Sequence, residues 1–597
     1  MALYYVSAGV TVPAATHASI TAVNADAGIT SGDTVYFNRA EVFGGATLIG
    51  DAGVTYDAYG TGVDPIIDGE ELRDCMTVGT ASNVTIQNLE LIDGVRCLLV
   101  SGTGTDLNVN NCVIRGSATN AVTSECVETI STGAGHTYTD LTIYQPNNAA
   151  TSKGFRSLNN DCILTNVAMV GVAGSLAYNA FELQTCTVAL NNCSITNWLA
   201  RGGATGRLLY AREAVITSTG LTVTDSDGQL YIDDVVGGSD ATFDVLNTSG
   251  MTGIIQTLVN CTLEVKSGTW DSAFSGVGDS VTISNVNTTE TITLNSGLVL
   301  AAMTDVAVTG AGIVDSATTS TLTRCSSTGA TSSGIAVAVG STTLYNCSSS
   351  TAAVNGLFQT AAAVVVDWFG NYSSNLNDGV SANNTGSVNC HGTTCNLNGD
   401  ATVSASGDGF TAHDTATFNM YGCVASGNFK SGCGMVGTST GVIYNCSFYD
   451  NYENTVVSNH GIYIDASGGW TIRNCITENH TLEIFVTAAA VLGGVTIDYG
   501  CYNNTRVTNA FSWNGTEYNW ADYLTNSNQD ANSLNADPLF TDKTNYDLSL
   551  KAASPCVGTG VTGLGYFVGS DGEPYSSFGV DMGGTMSKHG PFHPVNL

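Results

Sequence analysis

A glycine followed by an apolar residue returns about every two dozen residues from position 312 onward, and few folds accept that rhythm. The segments "AGIVDSATTSTLTRCSS", "SGIAVAVGSTTLYNCSS", "NGLFQTAAAVVVDWFGNYSS", "DGVSANNTGSVNCHGTTCN", "DGFTAHDTATFNMYGCVASGN", "CGMVGTSTGVIYNCSFYDN" and "HGIYIDASGGWTIRNCITENH" share one register. Their glycines are Gly312, Gly334, Gly356, Gly379, Gly409, Gly434 and Gly461, spaced 22, 22, 23, 30, 25 and 27 residues apart. A second column follows at Cys325, Cys347, Tyr372, Cys395, Cys423, Cys446 and Cys475. Upstream, "NVTIQNLELIDG", "LNVNNCVIRGS" and "VALNNCSITN" read as looser copies. A period of this size is the signature of a solenoid.

Within each copy the segments are short, β-branched and alternating, and Gly, Asn and Ser punctuate them, which is strand-turn-strand chemistry. Short strands joined by tight turns, once per coil, predict a parallel β-helix in which equivalent side chains stack from coil to coil. Asn111, Asn192, Asn346, Asn445 and Asn474 are then expected to form hydrogen-bonded ladders at one turn. Each of these precedes a cysteine, as do the asparagines before Cys261 and Cys390. No CxxC pair occurs among the 18 cysteines. A zinc ribbon or thiol redox site is therefore not expected, and the thiols are read as small buried hydrophobes.

Composition narrows the partners. There are 17 Lys plus Arg against 51 Asp plus Glu, a net charge of −34. Such a surface repels nucleic acid and anionic membranes. No apolar run is long enough to span a bilayer, and "MALYYVSAGV" has neither the basic nor the apolar region of a signal peptide. The expectation is folding in the cytoplasm before display on a virion or an extracellular surface.

Both ends carry a resemblance. "YYVSAG", "SGDTVYFNRAEVFGG" and "YDAYGTGVDPIIDG" near the start, and "NADPLFTDKTNYDLSLKAASPCVGTG" with "GVDMGG" near the end, resemble the opening and closing segments of right-handed parallel β-helix proteins of the pectate-lyase-like superfamily. The resemblance implies an all-β fold: a single right-handed parallel β-helix solenoid with capped ends. Residues 1–75 would form the amino-terminal cap and first coils, 76–510 the repeats, and 511–597 the last coils and closing cap. It names no single function, because the superfamily includes lyases, hydrolases, epimerases, adhesins and phage tailspikes.

Three groups of residues are chemical candidates. Asp378 and Asp408 precede repeat glycines in successive coils, so their carboxylates should stack about one strand spacing apart. With His413 they could act as an acid/base pair, hold Ca²⁺, or sit at solvated turns. "TDSDGQLYIDDVVGGSDATFD" gathers Asp225, Asp227, Asp233, Asp234, Asp240 and Asp244 without a basic residue. Asp233 and Asp234 are its candidate metal ligands, for Ca²⁺, with a solvated acidic face as the alternative. "FSWNGTEYNWADYL" concentrates Trp513, Tyr518 and Trp520, which would either stack on sugar rings or cap the last coil.

The superfamily's enzymatic signatures are not met. Asp233-Asp234 stands far along the chain from His391-Gly392 and His460-Gly461, Arg-Ile-Lys is absent, and no coil is expected to set a basic residue against an acidic cluster. The resulting expectation is a virion-associated or surface-displayed rod that contacts host polysaccharide. It requires no cofactor, with Ca²⁺ as the one candidate ion, and its partners would be a glycan and other virion or surface proteins. A homotrimer through the helix flanks is compatible with it. A polysaccharide lyase or glycoside hydrolase is the alternative, and a purely structural decoration or filament subunit the next.

Overall fold

Three short strands make one coil, and the chain repeats that coil with the strands of successive coils side by side. The computed structural model describes residues 1–9, 14–117, 125–146, 152–173, 175–201, 206–233, 239–258, 260–400, 407–451, 459–561, 567–568 and 574–575. They form two units, residues 1–290 with 297–299, and residues 291–296 with 300–597. In the second unit Ile335–Val337, Ser341–Tyr345 and Ser348–Ser350 compose a coil. They pair in parallel with Leu357–Gln359, Val364–Trp368 and Asn371–Ser373 of the next, with Ile335 beside Leu357, Ser341 beside Val364 and Ser348 beside Asn371. The first unit repeats the scheme: Lys153–Leu158, Cys162–Thr165 and Ala168–Val170 pair in parallel with Asn179–Gln184, Thr187–Asn191 and Cys193–Thr196. Both units are parallel β-helices, the fold that the terminal segments implied.

Strand alternation explains the interior. Val380, Phe410, Cys433, Ile462 and Ile484 occupy equivalent positions in five successive coils and are all fully buried. Each such side chain contributes roughly 1.5–3 kcal/mol of burial. All eighteen cysteines are buried with free thiols.

Corners explain the asparagines. Asn111, Asn192, Asn346, Asn445 and Asn474 have φ between 49° and 55°, the left-handed conformation that Asn tolerates better than most residues. The turn points the following cysteine inward. Asn260, before Cys261, shares this conformation (φ 55°), whereas Cys390 sits inside the strand Ser387–His391. The corner ladder is also broken into short runs, such as Asn111 donating to Asn88 (2.7 Å) and Asn474 to Asn445 (3.0 Å).

A longer ladder runs elsewhere in the second unit, where the third strand leads into the next coil. Asn375 donates to Asn398 (3.0 Å), Asn398 to Asn428 (2.9 Å) and Asn428 to Asn451 (2.7 Å), and Asn451 meets His480 (3.1 Å). His480 bonds Glu483 at 2.7 Å, and Asn504 donates to Glu483 at 2.8 Å. From Asn375 to Glu483 every member is at most 1% exposed. In such surroundings each satisfied bond specifies the stacking, and each broken one leaves an unsolvated polar group.

Register corrects two repeat assignments. Phe410 pairs with Cys433, so Gly409 is followed by Gly432 and not by Gly434. Ser348 pairs with Asn371, so Cys347 is followed by Gly370, while Tyr372 and Cys395 share the next inward column. Both slips are of two residues, which keeps a side chain on the same face of a strand and so leaves the hydrophobic pattern intact.

Each unit carries a covering element. In the first, the helix Ile20–Ala25, capped by Ser19 accepting from the Ala22 N–H (3.2 Å), buries Ile20 and Val23. In the second, Trp520–Ser527 forms a helix that begins at Asn519 and buries Tyr523. Beyond it Phe540–Asp542 and Asp547–Leu550 make an antiparallel hairpin whose Phe540 and Leu548 pack with Ile476, Cys501 and Cys556. The "GVDMGG" segment lies outside the described residues.

Candidate functional site

The turn that precedes the first strand of each coil stacks Asn355, Asp378, Asp408, Ser431 and His460 in one column of the second unit. All five are buried. The first two positions have a structural task. The Asn355 side-chain carbonyl accepts from the Asp378 N–H (3.1 Å). Asp378 Oδ1 accepts from the N–H groups of Gly407 (3.1 Å) and Asp408 (3.0 Å), and its Oδ2 accepts from the Thr411 hydroxyl (3.1 Å). Burial, then the neighbouring Asp408, pushes Asp378 up to about 6.

At Asp408 the pattern stops. Its Oδ2 accepts from Lys430 Nζ at 3.3 Å, while Oδ1 is buried without a hydrogen-bond partner. Ser431 Oγ, one coil on, also lacks one, as do both ring nitrogens of His460. His460 is 6% exposed and Asp408 3% exposed. Burial and then Lys430 push His460 down to about 3, so its ring is neutral, with one nitrogen donating and the other accepting. Lys430 is raised, chiefly by Asp408. The buried asparagine ladder holds this corner, because Asn428 stands two residues before Lys430.

The adjoining outward column supplies a wall and a gap. Thr411, Gly434, Tyr463 and Phe485 are neighbours in register. Tyr463 and Phe485 stack with ring centroids 5.2 Å apart, and His460 lies 5.0 Å from each. Gly434 carries no side chain between Thr411 and Tyr463, and the Asp408 carboxylate borders that position: a Cβ there would sit 3.3 Å from Asp408 Oδ2. His413 is half-buried beside this group and is lowered by burial, against the pull of Asp408 and Asp414. Its register partners are Asn383 and Val436, another consequence of the two-residue slip. Asp378, Asp408 and His413 thus share one region of the fold, with Asp378 bound up in the turn and Asp408 facing the open group.

In the first unit the structure overturns the expectation that no basic residue meets an acidic cluster. Arg96, Glu125, Lys153 and Asn179 form one column, and Glu128, Arg156, Glu182, Tyr210 and Tyr231 a second. Arg156 bridges Glu125 (3.2 Å), Glu128 (2.7 Å) and Glu182 (3.2 Å). Lys153 bridges Glu125 (3.6 Å) and Glu182 (3.2 Å), and Arg96 joins Glu128 (3.2 Å) to Asp74 (2.9 Å). Burial, with Glu128 next, pushes Glu125 up to about 7 against Lys153 and Arg156. Arg207 lies 4.2 and 4.1 Å from the ring centroids of Tyr210 and Tyr231. The signal was in the sequence as "ECVE", "KGFR" and "NAFE", polar residues three apart recurring one coil apart.

The remaining candidates go elsewhere. Trp513 is buried and packs on Tyr523, and the half-buried Trp520 packs on Tyr502, Phe511 and Tyr523, so these rings pack over the last coil. Tyr518 sits half-buried in the hairpin strand opposite Phe511. Asp233 ends the strand Gln229–Asp233, and Asp234 lies outside the described residues. Asp244 is paired with Lys266 (2.9 Å) and Asp227 accepts from Thr252. Among the described residues no group of three or more His, Cys, Asp or Glu able to hold a metal ion forms.

No family model and no curated protein matches the chain. Among solved structures it is similar to a GH136 lacto-N-biosidase from Eubacterium ramulus, at 12% identity over 66% of this chain and 64% of that one, TM-score 0.17. It is also similar to pectate lyase Pel9A, at 11% identity over 98% and 96% of the two chains, TM-score 0.20. The chain spans less than two thirds of the lacto-N-biosidase. The likeness is one of fold. The parallel β-helix itself stands on the strand register of this chain.

Lys430 and His460 are the residues that sequence reading missed at the open group. Lys430 was findable: it lies 22 residues after Asp408, one coil length, in a chain with few cations.

Proposed function

We propose that this chain is a carbohydrate-contacting parallel β-helix and that the contact is made at Asp408, Lys430, His460 and Tyr463. One observation carries the reading: an unpartnered carboxylate oxygen and two unpartnered imidazole nitrogens are buried beside stacked aromatic rings over a glycine gap. Buried polar atoms are almost always satisfied, and clustered exceptions call for a partner. Polar groups set in an aromatic wall are the usual means of holding a sugar. Display on a virion or other surface, assembly with further surface proteins and trimerisation belong to the same proposal, supported by the acidic composition and the buried thiols. Glycan-array binding by the whole chain, with Asp408→Asn as the control, tests the contact. Absence of binding to every glycan would leave the structural-subunit reading, and light scattering of the native assembly tests the trimer.

A second reading, hydrolysis or lyase cleavage of the glycan, is favoured by one feature: Lys430 Nζ stands 3.3 Å from Asp408 Oδ2, with His460 two coils along the same column, as groups able to move a proton. It requires release of reducing or unsaturated sugar ends that disappears in Asp408→Asn.

A further inference from the structure

The unpartnered atoms specify more than a sugar in general. Resting on the carbohydrate reading above, we infer that the ligand is an uncharged glycan, recognised through its hydroxyls, and that uronate, sulfate or phosphate groups are excluded from this site. Asp408 Oδ1 can only accept a hydrogen bond, so its partner must donate. The two nitrogens of the neutral His460 ring require one acceptor and one donor, and Ser431 Oγ can do either. A hydroxyl does both. A carboxylate, sulfate or phosphate oxygen only accepts, and would leave Asp408 Oδ1 unsatisfied while placing two anions together.

Electrostatics points the same way. The ionisable groups around the gap are Asp378, Asp408, Asp465, His413, His460, Lys430 and Tyr463. Lys430 is the one cation among them, and its ammonium is already matched by Asp408. An anionic ligand would have to break that pair or enter without a counter-charge, against a chain of net charge −34. Column geometry sets the size of the contact. Asp408 and His460 are two coils apart, ~10 Å at the usual strand spacing, with Ser431 between them and Gly434 opening the floor. One extended ligand can therefore touch both ends.

The test compares neutral gluco-, manno- and galacto-oligosaccharides with uronate oligomers on the whole chain, as wild type, Asp408→Asn and Gly434→Ala. Gly434→Ala sets a methyl group against the end of the Asp408 side chain, its nearest neighbour at 3.3 Å, so the melting temperature should stay within about 2 °C of wild type. The expected result is binding of a neutral oligosaccharide that weakens roughly ten- to a hundredfold in Asp408→Asn, in keeping with loss of a charged hydrogen bond, and at least as much in Gly434→Ala. Tighter binding of uronate oligomers would overturn this inference and leave the carbohydrate reading standing. Neutral binding indifferent to both variants would overturn the placement of the site. No binding of any oligosaccharide would overturn the carbohydrate reading itself.

Discussion

The two buried polar clusters are built alike and finished differently. In the first unit, Arg96, Lys153 and Arg156 each reach two or three carboxylates, so all the charges in the lattice are paired. In the second, Asp408, Ser431 and His460 bury polar atoms that have no hydrogen-bond partner among the described residues. Both rest on the same device, a column of equivalent positions in successive coils. The difference shows that stacking alone decides neither role. Where the neighbours alternate in charge the column is paired, and where the alternation fails it keeps unpartnered polar atoms.

That contrast can be broken most directly at Arg156. Arg156→Ala takes from each of three glutamates, at most 7% exposed, one of its two cations, and should destabilise the protein by about 3–5 kcal/mol. Urea unfolding measures it, and a loss below about 1 kcal/mol would mean that the lattice is hydrated and not structural. Asn428→Ala, in the ladder behind Lys430, removes bonds to Asn398 and Asn451 and should cost about 2–4 kcal/mol in the same assay.

The lattice should also show in a pH titration. Glu125 is raised from 4.5 to about 7, so between those values the folded state holds a proton that the unfolded state has released. Its contribution to stability is therefore present below about pH 4.5 and is lost as pH rises toward 7. Comparing wild type with Glu125→Gln isolates this term from the buried histidines, whose lowered values act in the opposite direction. The variant should lack that fall, and equal slopes in the two proteins would count against it. The smallest stability effect belongs to the open cluster. Asp408→Asn should leave unfolding within about 1 kcal/mol of wild type or raise it, because it removes an under-satisfied buried charge. A loss like that of Arg156→Ala would place Asp408 among the structural charges and erase the distinction.

Much of the fold was legible because the inward side chains repeat with the coil: the Gly-apolar register from Gly312 to Gly409 matches the observed pairing. The error at Gly434 arose because "SGCGMV" offers glycines at both 432 and 434, and a two-residue slip leaves every apolar residue on its proper face. The buried asparagine ladder was obscured by unequal spacing, with Asn375, Asn398, Asn428 and Asn451 separated by 23, 30 and 23 residues. Asp408 was visible beside its repeat glycine. Lys430 could be reached from it by one coil length, but His460 lies two coils on, and only a correct register brings it into the group. Trp513 and Trp520 allowed two readings, a sugar-stacking face or a cap, because an aromatic cluster reads alike whether it closes a core or faces solvent.

The direction of the bonds in the second unit has a mechanical consequence. Both the strand-to-strand hydrogen bonds and those of the Asn375–Asn451 ladder join one coil to the next. Tension along the stacking direction would load these junctions in series, so the unit should yield one coil at a time, in a sawtooth of small steps. Tension along the strands would instead load many bonds at once and meet a much higher threshold.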